Sequence, residues 1–235
     1  MIKREWLIIV AITVLGFIFR ATAYFHYPLA NDFAVHWQEA HQLLEGKTVL
    51  VGPAVTSQGE RGSGFYQGPF YYYYLALLQL LTGSNDRLVV LLFGLVNSLA
   101  IIPFYFICRR LFSGKTTLLL AIIYAVNPYL VYVDGTPWNP NLIPALTVLS
   151  LWLSFKIKYD HHCEFLPTLY CLLAFISQCH IVMAPLILFF AIFTFEREVF
   201  REKLWLYLSS VLLFYSYGRR GLFIKSNITG LLFPL

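Results

Sequence analysis

Residues Gly64 to Gly83 read GFYQGPFYYYYLALLQLLTG, and whether this stretch crosses a membrane decides the arrangement of the whole chain. Its apolar run, Phe70 to Leu81, is too short to cross about 30 Å of hydrocarbon comfortably at about 1.5 Å per helical residue. It is also among the most aromatic parts of the sequence. A membrane is the right solvent to consider, because 59% of the 235 residues are hydrophobic, 12% are charged and the mean hydropathy is +0.67. That leaves too little polar surface to cover a water-soluble globule, and the apolar residues come in long uninterrupted blocks. The chain reads as an integral membrane protein.

Working outward, blocks long enough to span run Trp6–Phe25, Leu88–Cys108, Thr116–Val133 and Leu142–Ile157. A longer stretch, Phe165 to Phe195, exceeds one crossing. Its polar group Gln178, Cys179, His180 and the later Pro185 predict two short helices meeting at a turn. A last block, Leu204–Tyr217, is short. The first block has no small-residue cleavage site after it and reads as an anchor, not a removed signal peptide.

The Lys and Arg clusters orient these blocks. They are Lys3/Arg4, Arg109/Arg110/Lys115, Lys156/Lys158 and Arg197/Arg201/Lys203, and the positive-inside rule places them all in the cytoplasm. This works only if Phe70–Leu81 does not cross. The segment is therefore expected as an interfacial or re-entrant helix on the outer face, with Tyr71–Tyr74 at headgroup depth. The alternative is a short tilted span. The formal net charge of +5 lies in these loop clusters, so nucleic acid is excluded as a partner and the lipid bilayer is the expected one. Cys108, Cys163, Cys171 and Cys179 lie in or beside apolar blocks with no metal-ligand spacing, so no metal site is expected.

Residues 27–67 are thereby external. Within them NDFAVHWQEAHQLLEG, Asn31 to Gly46, predicts an amphipathic helix with Phe33, Trp37, Ala40 and Leu44 on one face. It holds Asp32 at the membrane surface, between lipid headgroups on one side and soluble acceptors on the other. Asp32 also suits the N-cap of that helix, and the two roles are compatible because a capping carboxylate keeps a spare acceptor oxygen. His36 and His41 read as surface residues of the same helix.

These elements, taken together, resemble the polyprenyl-phosphate-sugar glycosyltransferases of the GT-C fold, in particular family 39, the protein O-mannosyltransferase and aminoarabinose transferase group. A first span ending in Arg20 is followed by Asp32 and a helix ending EAHQLLEG. YQGPFYYYYLALLQLLTG is similar to the family's second juxtamembrane helix. DRLVVLLFGLVNSLAIIPFYFICRRLFSGK looks like its next span, and NPYLVYVDGTPWNPNLIP like its second outer loop. The resemblance covers nearly everything from Trp6 to about Leu213. It implies an all-α, multi-span transmembrane bundle of GT-C type, with two juxtamembrane helices in an external loop of about residues 26–87. Where the family often has a second acidic residue and an L-D-P acid, this sequence has Phe33 and Asn139. Asp134, a few residues before Asn139, is an external carboxylate that substitutes for the missing acid or else forms a turn.

The resemblance implies transfer of a sugar from a polyprenyl-phosphate carrier, with no cofactor and no nucleotide sugar, to a protein, glycolipid or polysaccharide acceptor on the outer face. One carboxylate base implies inversion at the sugar C1, since double displacement requires a second carboxylate as nucleophile. Asp32 is the expected catalytic base. Arg20, Arg87 and His180, at outer ends of apolar blocks, are candidates for the donor phosphate, with Asp134 and Asn139 as further substrate contacts. The arginines could equally snorkel, and His180 could bond a carbonyl at its turn. The expected location is the plasma (inner) membrane of a prokaryote, multi-pass, with the N-terminus in the cytoplasm.

RRLFSGKT, Arg109 to Thr116, is no phosphate-binding loop, because Arg109 stands where the first glycine must be and an apolar span precedes it. The triplet at Asn227 is a glycosylation acceptor by spelling alone. Arg219, Arg220 and Lys225 would lie outside, against the charge rule. Residues 218–235 therefore read as an atypical tail after a module of residues 1–217, as in a truncated or frameshifted product. The rival reading is a non-catalytic membrane protein, either a transporter of lipid-linked sugar or a structural remnant of the transferase. A transporter would want ionisable or broken-helix sites near the midplane, for which Gln178 to His180 is the only candidate.

Overall fold

The computed structural model describes residues 2–26, 31–53 and 67–195, together with Trp205 and Leu208. The expectations for residues 27–30 and 54–66 of the external loop, for the Arg197/Arg201/Lys203 cluster, for the block Leu204–Tyr217 as a whole and for the tail lie outside the described residues. Among those described there is helix and no strand. In chain order the helices are α1 (Ile2–His26), α2 (Asn31–Leu44), α3 (Phe70–Thr82), α4 (Asp86–Ser98), α5 (Ile101–Leu111) and α6 (Gly114–Val126). They continue with α7 (Pro128–Gly135), α8 (Ile143–Asp160), α9 (Leu166–Cys179) and α10 (Ala184–Thr194).

Three stretches are long and apolar enough to cross a membrane: Arg4–Thr22, Asp86–Leu111 and Asn139–Asp160. A fourth is the pair α6 and α7, bent by 52°. These coincide with the apolar blocks of the sequence, and the chain is an all-helical membrane bundle. Contacts divide it into two compact units, Met1–Val35 with Leu77–Phe155, and His36–Ala76 with Lys156–Leu235.

In the first unit α1 packs against α4, α5, α6 and α7. Near its start, Glu5 Oε1 accepts from the Tyr105 hydroxyl at 3.0 Å and from Arg109 Nε at 3.4 Å. Further along, Gly16 faces Ile101, and a β-carbon on Gly94 would lie 3.4 Å from Cβ of Arg20. Contacts thus run forward along α1 as they run backward along α5 and α4, and the two rods are antiparallel. The C-terminal end of α1 and the N-terminal end of α4 consequently share one end of this unit. Helix α3 itself is about 20 Å long, short of a span.

Small residues allow the close approach of α1. A β-carbon on Gly16 would overlap Ile101 Cδ1 and stand 3.4 Å from Ala125 Cβ, and Ala121 and Ala125 are fully buried. Without water to drive helices together in hydrocarbon, such tight backbone packing is a main source of association. Ile9, Ile12 and Tyr105 complete this core.

Two breaks are legible as proline chemistry. Pro103 has no N–H for the carbonyl of Leu99, and the chain tightens there into three-residue turns, with Ala100 N bonding Asn97 O and Ile102 N bonding Leu99 O, each at 3.1 Å. At Asn127–Pro128 the pre-proline residue leaves the helical region, at ψ 120°, and its side chain caps α7 by accepting from Leu130 N at 3.1 Å. The block Thr116–Val133, read from sequence as one span, is therefore two helices.

The second unit contains α9 and α10, which meet at His180. His180 is extended, its N–H bonds Ile176 O, and the 3-10 turn Ile181–Met183 leads into α10. The expected pair of short helices joined at a turn is present. Against α9 lie two extended segments that bond each other reciprocally, Gly52 N to Gln67 O at 3.0 Å and Gln67 N to Pro53 O at 2.9 Å. Phe70 stacks on Phe175 with centroids 4.0 Å apart and planes 8° from parallel. Helix α3 ends where Gly83 takes φ 60°, and Ser84 N then reaches Gln79 O at 2.8 Å, a Schellman closure.

One face assignment is corrected. Along α2 the buried residues are Phe33, His36 and Ala40, whereas Leu44 is exposed. His36, expected at the surface, is 4% exposed, with its ring 5.2 Å from that of Tyr71 and 5.5 Å from that of Tyr72. Imidazole against the tyrosine run of α3 gains aromatic contact that Leu44, near the helix end, cannot reach.

Candidate functional site

Asp32 lies on the first turn of α2, one residue inside the helix rather than at the capping position, and it is exposed. At this end the helix dipole favours negative charge, which steadies the carboxylate without covering it. Arg87 is likewise exposed, on the first turn of α4 beside Asp86, whose Oδ1 accepts from the Arg87 N–H at 2.8 Å.

Arg20 and Asp134 come together, and neither is at a surface. Both side chains are 0% exposed, and Asp134 Oδ2 accepts from Arg20 Nη2 at 2.6 Å and from Nε at 3.0 Å. Arg20 Nη1 donates to two main-chain carbonyls, Ala125 at 3.0 Å and Gly16 at 3.1 Å. Asp134, expected as an external carboxylate or a turn former, is instead the buried counter-ion of an arginine. The reason is solvation: an ionised group away from water is tolerable only when paired and hydrogen-bonded, and each residue is the other's partner. Neither presents a free charge to a donor phosphate in this arrangement.

Asn97 also belongs to this cluster, although nothing in the motifs of the sequence singles it out. Its Nδ2 donates to the main-chain carbonyl of Asp134 at 3.0 Å. An amide inside the apolar run Leu88–Cys108 is the available signal, since a polar side chain in a span nearly always faces the bundle interior. Beside it, Tyr124 stands within electrostatic reach of both charges. Among the described residues Asp134 Oδ1, Asn97 Oδ1 and the Tyr124 hydroxyl have no hydrogen-bond partner.

Asn139 opens the 3-10 turn Asn139–Leu142 and is buried. The same turn is tied down by Asn141, whose N–H reaches Trp138 O at 3.0 Å and whose Nδ2 reaches Thr136 O at 2.8 Å.

His180, in the second unit, is partly exposed at the α9 break, where its Nδ1 accepts from Val182 N at 3.4 Å. This leaves Nε2 as the ring atom available to another partner. Nearby in the chain, Gln178 is buried, and burial pushes the Tyr71 hydroxyl well above the usual phenol range, with Tyr74 and Cys179 adding to the shift. The exposed carboxyl of Glu45 is held below its ordinary range by a hydrogen bond from Lys47 at 3.0 Å.

Residues 66–217 match the family described as dolichyl-phosphate-mannose-protein mannosyltransferase. Arg87, Asp134, Asn139 and His180 fall inside the matched segment, and Arg20 and Asp32 precede it. A comparison with curated proteins found no match.

Proposed function

Because the chain belongs to the dolichyl-phosphate-mannose-protein mannosyltransferase family, membrane glycosyltransferases of the GT-C type, we propose that it moves a sugar from a polyprenyl-phosphate carrier to an acceptor hydroxyl on the outer face of the plasma membrane of a prokaryote. Within that family we place it with the protein O-mannosyltransferase and aminoarabinose transferase group. The acceptor is a protein, a glycolipid or a polysaccharide. The N-terminus is cytoplasmic, which puts α2 and α3 outside.

The chemistry is a single displacement. The acceptor oxygen attacks C1 of the sugar, the bond from C1 to the phosphate oxygen breaks, and the polyprenyl phosphate departs with the electron pair. Asp32 takes the acceptor proton, and the configuration at C1 inverts. Arg87 and His180 are the cationic or hydrogen-bonding candidates for the phosphate, and Asn139 is a candidate contact to the sugar. The observation that carries this reading is the exposure of Asp32 at the head of an amphipathic helix just beyond the first span. A carboxylate there meets both a headgroup-level phosphate and a soluble acceptor.

Asp32→Asn tests it. The amide keeps a polar side chain on the same turn and cannot take a proton, so the membrane level of the protein should stay near the parent's. Transfer from a polyprenyl-phosphate sugar should fall by about two to four powers of ten. Full turnover by the Asn variant would refute the base assignment.

A further inference from the structure

In the broken span α6–α7, the sequence itself supplies a reason for a break at Asn127–Pro128, but not for how the two halves are held. Proline removes only the bond to the Tyr124 carbonyl, and a helix interrupted that way commonly continues as a kinked rod. Here the interruption is wider. Asn127 has left the helical region at ψ 120°, and the Ala125 carbonyl, which Tyr129 N would take in a continuous helix, receives Arg20 Nη1 instead at 3.0 Å. The same guanidinium holds Asp134, the last residue but one of α7, through Nε and Nη2. One planar fork thus caps the end of α6, where the helix dipole favours a cation, and grips the far end of α7. The Asp134 main chain is then fixed to α4 by Asn97, and Thr136 and Asn141 continue the chain of bonds into the turn that begins at Asn139.

We propose that Arg20 is a positioning residue that selects the broken form of this span over a kinked one and so sets the place of the Thr136–Leu142 turn. Its importance for catalysis rests on the transferase reading, in which Asn139 meets the sugar. Its effect on the span does not. Arg20 works through α7 and the turn and touches no substrate.

The experiment measures the bend directly. Spin labels at Lys115→Cys and Tyr132→Cys, both exposed positions, are introduced into the full chain lacking its native cysteines, and their distance distribution is recorded in nanodiscs by pulsed electron resonance. Straightening a 52° bend between these arms would lengthen the distance by about 2 Å, from a rise of about 1.5 Å per residue. The parent should give one narrow distribution. Arg20→Met alone leaves a buried carboxylate, so Arg20→Met with Asp134→Leu is the variant that removes the fork without stranding a charge. It should broaden and lengthen the distribution, and Arg20→Lys, which cannot hold both ends at once, should broaden it too. Pro128→Ala with Arg20 intact should keep the parent distance.

A double variant superimposable on the parent would show that Asn127–Pro128 sets the bend alone. A straightened Pro128→Ala would overturn the proposal in the same way, and a broad parent distribution would mean that no element holds the bend. No sugar donor enters the measurement, so it can fail while the transferase reading stands, and the reverse.

Discussion

The side-chain amide of Gln178 occupies the space that a β-carbon on Gly68 would fill, and the main-chain carbonyl of Gly68 likewise blocks a β-carbon on Gly52. Three parts of the second unit are thus in close contact, each glycine needed because something lies where its side chain would be. The stack fastens the extended segments before α3 to the end of α9, two residues before His180.

This contact can be tested by crowding it. Gly68→Ala should lower stability by about 1–3 kcal/mol, the usual range for overpacking. Gln178→Ala added to it should return part of the loss, because the obstacle is a side chain. Gly52→Ala should be the worse single change and should gain nothing from Gln178→Ala, because its obstacle is backbone. Thermal unfolding in detergent measures all of these, and rescue of Gly52→Ala by the Gln178 change would contradict the stack.

For the buried pair of the first unit, single substitutions and joint removal should differ widely in cost. Arg20→Met or Asp134→Leu alone strands a charge and should cost about 3–5 kcal/mol, whereas the two changes together should lie much closer to the parent. The non-additivity, read from the four unfolding midpoints, measures the coupling. Additive losses would mean that the two residues are not each other's main support.

The orientation makes a labelling prediction. Cysteines placed singly at Lys47, Arg110 and Lys158, in a background without the native cysteines, should react with an impermeant thiol reagent in intact cells at position 47 only. The reason is that positions 110 and 158 close spans in basic clusters, which the cytoplasm retains. Labelling at 110 would overturn the assignment of α3 to the outer surface.

Donor binding separates the remaining candidates. The chain should bind polyprenyl phosphate more tightly than the uncharged polyprenol. His180→Ala or Arg87→Ala should remove that difference by weakening phosphate binding about tenfold or more, as loss of a charge-assisted contact worth about 1.5–3 kcal/mol implies. The alcohol should be unaffected. Equal affinity of the folded parent for both lipids would exclude a phosphate site.

Much of this protein is legible in one dimension because the relevant free energies are local. Transfer of an apolar block into hydrocarbon depends on its length and composition, so the spans are readable from Trp6–Phe25 and its successors. A lysine or arginine beside a block acts on the nearest membrane face, so an expected orientation is readable too. The break at His180 is visible as polar residues inside an over-long apolar run.

Tertiary structure alone decided the rest. Arg20 and Asp134 are 114 positions apart, and each taken singly has the composition of an exposed helix-end residue. His36 likewise has no local feature that marks it as buried until the tyrosines of α3 are brought against it. For such groups the desolvation cost is borne by each residue separately, while the compensating hydrogen bonds and Coulomb attraction exist only when both partners occupy one place. That second term is a property of distance in the folded chain, and it is what joins two residues far apart in sequence into one buried pair.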